Sequence, residues 1–110
     1  MSNINRVFGY ARISTSDQNE GRQIEALTAA GVDERFIFID KASGKDFNRA
    51  EYQVLIRALR EGDTLIIKSI DRLGRNYNEI TEQWRIITKE IKAYIKARPL
   101  HKLLTNYEQS

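Results

Sequence analysis

The sequence predicts a three-layer α/β/α domain built on a mostly parallel sheet. Short apolar runs alternate along the chain with amphipathic helical patterns, which is the order that βαβ units produce. Each helical pattern is marked at one or both ends: a residue type that caps helices precedes it, or a glycine follows it. The chain has 110 residues, of which 41% are hydrophobic and 30% charged, so we expect one soluble globular domain.

The first βα unit begins with a strand predicted over residues 6–13. Its alternation of side chains places Arg12 and the following Ser14 on one face. Asp17 is expected to cap the first helix, and Gly31 is expected to end it.

The second unit begins with a short apolar strand over residues 36–39. A polar loop with glycine is predicted over residues 40–46, and Asn48 is expected to cap the next helix. Gly62 is expected to end that helix. Its apolar face consists of Tyr52, Leu55, Ile56 and Leu59.

The third unit has a strand predicted over residues 64–70, a turn over residues 71–75 and a helix capped by Asn76. Residues 93–97 are compatible with a fourth strand, which Arg98 and Pro99 would end. The third helix carries an apolar seam of Tyr77, Ile80, Trp84, Ile87 and Ile91.

Composition narrows the possible chemistry. The chain has no cysteine, which excludes disulfides and thiolate metal sites, and its one histidine, His101, cannot form a metal cluster alone. No apolar stretch indicates a secretory signal or a membrane span, so we expect a cytoplasmic protein without a membrane partner. A net charge of +3 permits a nucleic-acid partner without requiring one.

Candidate site residues follow the strands at one edge of the predicted sheet. Ser14 and Arg12 lie at the end of the first strand, Arg72 and Arg75 follow the third, and Arg49 can join them. Guanidinium groups match phosphate oxygens, so this cluster suits a phosphodiester. A purely structural interpretation also stays open at this point. A serine after a strand often caps a helix, and a single arginine often pairs with a surface acid.

Acidic residues are sparse near this edge. Only Asp40 and Asp71 can be placed there, and neither resembles part of a carboxylate cage for a metal. We therefore expect phosphoryl transfer driven by serine and arginine, with no metal and no cofactor.

Several motifs resemble one known family. The segment of residues 10–18, Tyr-Ala-Arg-Ile-Ser-Thr-Ser-Asp-Gln, resembles the N-terminal signature of the resolvase/invertase family of serine site-specific recombinases. Residues 40–44 with Arg49, then 61–63 and 71–76, resemble later family blocks in order and spacing. The resemblance covers roughly residues 6 to 90 and implies a resolvase-like catalytic domain.

The resemblance also implies roles for the candidate residues. Ser14 would be the nucleophile that becomes covalently joined to DNA, while Arg12, Arg72 and Arg75 would bind the scissile phosphate and stabilise the transition state. Arg49 matches a fourth active-site arginine. The implied reaction is a transesterification through a 5′-phosphoserine link, which needs neither ATP nor metal.

The resemblance also implies roles for other polar residues, and it implies partners. Gln18 and Gln23 match residues that shape the pocket, and Asp71 matches an acid that orients the arginines and assists proton transfer. The implied partners are double-stranded DNA and further copies of the chain, assembled as dimers and then a tetramer. The motifs leave resolution, inversion and integration open.

The end of the chain is expected to depart from the family. We expect a catalytic domain over residues 1–98 without the usual long dimerisation helix, a divergent tail over residues 99–110, and no helix-turn-helix domain in this chain. The departure is expected after Glu90, as in a fragment, a truncated product or a shifted reading frame. The alternative function is therefore a truncated, catalytically silent remnant that acts at most as an interaction module.

Overall fold

A computed structural model describes residues 5–14, 20–42 and 49–97, with the side chains of Ser14 and Ala42 outside that description. Strands and helices alternate along it as the sequence predicts. The elements are β1 (Val7–Ser14), α1 (Glu20–Ala29), β2 (Ile37–Ala42), α2 (Ala50–Ala58), β3 (Thr64–Ile67), α3 (Tyr77–Arg85) and β4 (Tyr94–Ala97).

The four strands form one sheet in the order β2-β1-β3-β4, and every pair is parallel. This result confirms the predicted class and includes the fourth strand. Because the strands are parallel, Ser14, Ala42 and Ile67 end their strands at the same edge.

Helices cover both faces of this sheet, which gives the three predicted layers. On one face, Phe8 and Tyr10 of β1 belong to the larger core cluster, together with side chains of α2 and the helix that begins with α3. On the other face, Ala11 packs with Leu27 of α1. The alternation of β1 side chains therefore assigns the two faces as expected. The larger cluster consists of Phe8, Tyr10, Tyr52, Leu55, Leu59, Leu65, Ile67, Leu73, Ile87 and Ala93.

Two strand boundaries differ from the prediction. β2 continues through Ala42, so the first three residues of the predicted loop are strand, because they pair with the end of β1 in the register Arg12 to Asp40. β3 ends at Ile67, and the chain turns into a short 3₁₀ helix, Ile70–Leu73. This turn buries Leu73 in the core, which a straight continuation of the strand would not allow.

The helix boundaries combine confirmed and corrected predictions. Asn76 caps α3, because its side-chain oxygen accepts the backbone N–H of Glu79 at 2.9 Å. Gly31 has a positive φ angle just after α1, as a helix-ending glycine does. The stop predicted at Gly62 is wrong, because α2 already ends at Ala58, where Leu59 turns into extended backbone, and Gly62 takes its positive φ angle in the separate turn of residues 60–63. The caps predicted at Asp17 and Asn48 lie outside the described residues.

The predicted seam of the third helix is wrong at its first position. Tyr77 is 77% exposed because it begins α3 before the helix reaches the core, whereas Ile87 is fully buried. The helix continues after Arg85 as a π-helical segment, Ile86–Ile91, and ends at Lys92 in the left-handed region. No helix in the described part of the chain is long and apolar enough to cross a membrane.

Candidate active site

Ser14 and Arg12 lie at the carboxyl end of β1, an inner strand of the sheet. The backbone of Ser14 pairs in register with Ala42, and Arg12 pairs with Asp40. Burial lowers the pKa of the half-buried Arg12, and the charges of Arg49 and Arg72 lower it further. The structure therefore brings three predicted arginines close enough for their charges to interact.

Asp40 organises the base of this edge. Its carboxylate accepts the phenolic O–H of Tyr10 at 2.7 Å, and it also accepts the backbone N–H groups of Glu51 at 2.9 Å and Tyr52 at 3.1 Å. Asp40 thus satisfies two backbone N–H groups at the start of α2, although it belongs to β2 and precedes α2 by ten positions. A negative charge at a helix N-terminus also complements the helix dipole.

Tyr10 is a site residue that the sequence pattern assigned only to a strand face. Burial and the hydrogen bond to Asp40 raise the pKa of Tyr10 above its usual range, against the opposing influence of Arg49. The phenol therefore remains a neutral donor, and both oxygens of Asp40 are engaged by protein donors. The sequence signal that could have indicated this pair was Asp40, an acidic residue directly after a buried apolar strand.

Arg49 connects the start of α2 to the turn after β3. Its guanidinium donates to the carbonyl of Leu73 at 2.7 Å and to that of Arg72 at 3.4 Å. Its Cζ atom also lies 3.7 Å from the ring centroid of Tyr52. Arg49 thus holds the Ile70–Leu73 turn in place from a helix 24 residues earlier in the chain.

The turn itself presents the next predicted residues. Arg72 is half-buried, whereas Asp71 is exposed and accepts a hydrogen bond from the Ser69 hydroxyl. The contact of Asp71 is therefore local to the turn. Arg72 is fixed at its backbone by two bonds, because its N–H donates to Ser69 and its carbonyl accepts from Arg49.

Arg75 is held against the first turn of α3. Its backbone N–H and its guanidinium donate to the two carboxylate oxygens of Glu79, at 2.8 Å and 3.1 Å. These bonds lower the pKa of Glu79. Glu79 thus orients an arginine of the candidate site, and its own backbone N–H donates to the Asn76 cap.

Gln23 lies on α1, on the opposite face of the sheet from Asp40. It is half-buried and lines a cavity of about 450 Å³ together with Tyr10, Leu27, Ile66 and Lys68. The Tyr10 side chain itself lies on the face of Asp40 and Arg49, so the structure does not bring Gln23 together with the arginines. Gln18 lies outside the described residues.

The described acids do not form a metal cage. Within residues 5–14, 20–42 and 49–97, no three His, Asp or Glu side chains cluster as metal ligands would.

Comparison with known proteins places this arrangement in a family. The family model described as "Resolvase, N terminal domain" matches residues 7–97. The Tn3 resolvase of Escherichia coli is 49% identical over 71 residues, which cover 64% of this chain and 38% of that protein. The R46 site-specific recombinase of Escherichia coli is 43% identical over 88 residues, which cover 80% of this chain and 44% of that protein.

A relative from another genus agrees. The Tn917 resolvase of Enterococcus faecalis is 42% identical over 76 residues, which cover 69% of this chain and 40% of that protein. The chain thus spans about two fifths of the length of these curated relatives.

The family match also corrects one prediction. The resemblance was expected to end near Glu90, but the match continues to residue 97 and includes β4. β4 pairs in parallel with β3, so this last matched segment belongs to the same sheet. The chain belongs to the family of resolvase N-terminal domains, the catalytic domains of serine site-specific recombinases.

Proposed function

We propose that this chain is the catalytic domain of a serine site-specific recombinase that cleaves and rejoins double-stranded DNA. The observation that supports the proposal is that Ser14 ends β1, the strand that also carries Arg12. The charges of Arg49 and Arg72 act on Arg12 at this end of the strand. A phosphodiester is the substrate that this charge pattern suits, because guanidinium forks bind phosphate oxygens and stabilise charge that develops at phosphorus.

The proposed cleavage is a transesterification. The hydroxyl oxygen of Ser14 attacks phosphorus, the bond from phosphorus to the 3′ oxygen breaks, and the 3′ oxygen leaves as a hydroxyl after gaining a proton. The product is a 5′-phosphoserine link. Because one phosphoester replaces another, the reverse attack by a 3′ hydroxyl rejoins the strand without an external energy source.

The proposed roles of the other residues follow their positions. Arg12 and Arg72 bind the scissile phosphate, and Arg75 adds a further cation from the start of α3. Asp71 assists proton transfer from the turn that carries Arg72. Gln18 and Gln23 are proposed to shape the pocket on the strength of their match to the family motif alone.

The proposed partners are DNA and further copies of the chain. Each active site has one nucleophile, so cutting both strands at two sites requires four subunits, formed from a dimer on each site. The named relatives include resolvases of transposons, and a role in recombination of a mobile element in the cytoplasm is proposed here by analogy.

A trapped covalent adduct tests this proposal. The probe is a pool of fluorescent duplexes with randomised flanks and a central 3′-S-phosphorothiolate linkage, whose thiolate leaving group re-attacks poorly. We expect a DNA adduct of the chain on denaturing gels and none with Ser14→Ala. Tn3 resolvase on the same pool is the positive control. An adduct with the relative but not with this chain would contradict the proposal and favour the silent remnant.

A further inference from the structure

Tyr52 lies on the apolar face of α2, yet it makes more specific contacts than a residue that only fills the core. Its side chain is 1% exposed, and one face of its ring carries the Arg49 guanidinium at 3.7 Å. The ring of Tyr10 packs edge-on at a centroid distance of 5.2 Å. The aromatic face therefore holds a cation in addition to filling the core.

The ring is fixed from two further directions. The Tyr52 hydroxyl donates to Oε1 of Gln83 on α3 at 2.7 Å, and the Tyr52 backbone N–H donates to Asp40. The ring therefore has one orientation relative to α3 and β2. A guanidinium stacked on a fixed ring inherits that orientation, since a cation is attracted to the face of an aromatic ring and this attraction grows when water is excluded.

The cation in turn holds the site. Arg49 donates to the carbonyls of Arg72 and Leu73, so the orientation of its fork sets the position of the turn that presents Arg72. Burial raises the pKa of Tyr52 to about 12, so the ring stays neutral over the working pH range. The contact with Arg49 is thus a stack on a neutral ring rather than an ion pair.

We propose that Tyr52 is a positioning residue for DNA cleavage: its ring fixes Arg49 against the Ile70–Leu73 turn and thereby aims Arg72 at the scissile phosphate. Gln83 anchors the ring from α3. This inference rests on the proposed recombinase function, because the phosphate is the group that Arg72 would meet.

Two substitutions of Tyr52 separate the aromatic face from simple packing. Tyr52→Phe keeps the ring and removes the hydroxyl, whereas Tyr52→Leu keeps an apolar side chain and removes the ring. We expect Tyr52→Leu to slow adduct formation at saturating DNA by roughly 10- to 100-fold, because small displacements of positioning groups have large effects on rate. DNA affinity should change by less than about threefold, and Tyr52→Phe should restore most of the rate.

Matched variants exclude a general loss of stability. Leu59→Ala removes another buried side chain, ten residues after Arg49 and just past the end of α2, and it should keep the cleavage rate at temperatures where it is folded. In an Arg49→Ala background, Tyr52→Leu should have little further effect, since Tyr52 acts through Arg49. Equal losses in both backgrounds would overturn the proposal.

A spectroscopic measurement makes the outcome independent of cleavage. In NMR spectra of the whole chain, the side-chain resonances of Arg49 should carry an upfield ring-current shift that Tyr52→Phe retains and Tyr52→Leu abolishes. If the wild-type chain forms no adduct, the proposed function fails and these resonances alone decide the position of Arg49. If Tyr52→Leu leaves both the resonances and the rate unchanged, the positioning role fails while the recombinase function stands.

Discussion

Asp40 shows how one buried carboxylate can organise several elements. It is 5% exposed, and its two oxygens accept hydrogen bonds from a strand side chain and from two amides that open α2. A buried charge is tolerated only when donors of this kind replace water. The same bonds place Arg49 at the start of α2, next to the turn that it holds.

Replacing Asp40 with Asn should weaken the fold. Both oxygens of Asp40 accept hydrogen bonds, but the amide of asparagine has only one oxygen. Its NH₂ group would face a donor that the second carboxylate oxygen accepts in the wild type. We expect the free energy of unfolding to fall by about 2 kcal/mol, measured by urea denaturation. Glu25→Gln is the control on the exposed surface of α1 and should change stability by less than about 0.5 kcal/mol. A loss no larger than that of the control would show that the three bonds contribute little.

Lys92 offers a change in the opposite direction. Its φ angle of 68° lies in the left-handed region, which glycine adopts without the steric cost that a Cβ atom imposes. Lys92→Gly should therefore raise the free energy of unfolding by about 0.5–1 kcal/mol. Lys92→Ala keeps the Cβ atom and should give no such gain. Equal effects of the two variants would contradict this explanation.

At the scale of elements, the junction between the Ile70–Leu73 turn and α3 has almost no free space. A Cβ atom on Gly74 would lie 2.5 Å from the Cβ of Glu79 and 2.9 Å from the backbone nitrogen of Ile80. The turn and the helix can approach this closely only with glycine at that position. Their contact keeps Arg72 and Arg75 on neighbouring parts of one edge.

Gly74→Ala should therefore disrupt the site as well as the fold. The neighbouring atoms are backbone atoms of α3 and the Cβ of Glu79, which side-chain rotation does not move, so we expect a loss of about 1–3 kcal/mol in thermal or urea unfolding. Gly21→Ala is the matched control, since a Cβ atom there meets nothing within 4 Å. That variant should keep or raise stability by up to about 1 kcal/mol, because alanine favours helix. Similar losses in both variants would refute the close-packing account.

Elements with local signals could be predicted from the sequence. The cap at Asn76, the stop at Gly31 and the alternation of β1 all depend on residues a few positions apart, and the structure confirms them. The length of β2 depends on pairing with β1, and the contact of Arg49 with Leu73 joins residues 24 positions apart. Such long-range pairings leave no periodic trace, so the site's residue types could be predicted but not their contacts.

At the scale of the molecule, the two ends of the parallel sheet have different tasks. At the amino end, the buried Asp63 accepts the backbone N–H groups of Arg6 and Arg60, and its carbonyl accepts that of Tyr94. These bonds tie β1, β3 and β4 together. The carboxyl end is left to carry the cations, as in other open α/β sheets whose sites lie beyond the strand ends.

The buried tyrosines should make stability fall at high pH. Burial raises the pKa of Tyr52 to about 12, from an ordinary value of about 10 in the unfolded chain. Folding therefore favours the neutral phenol, and this contribution is complete below pH 10 and is lost as the pH rises towards 12. Urea denaturation at intervals across that range should show a steeper decline for the wild type than for Tyr52→Phe. Equal slopes would show that Tyr52 ionises as easily when folded.

The central claim is that Ser14 forms a phosphodiester bond with DNA at the carboxyl end of the sheet, where the arginines lie. The most direct measurement is mass spectrometry of the trapped adduct after proteolysis and nuclease digestion. We predict a nucleotide attached through its 5′ phosphate to the peptide that contains Ser14, with a free 3′ end on the other DNA product. An adduct on another residue, an adduct through a 3′ phosphate, or unmodified Ser14 in material where Tn3 resolvase is labelled would contradict the account.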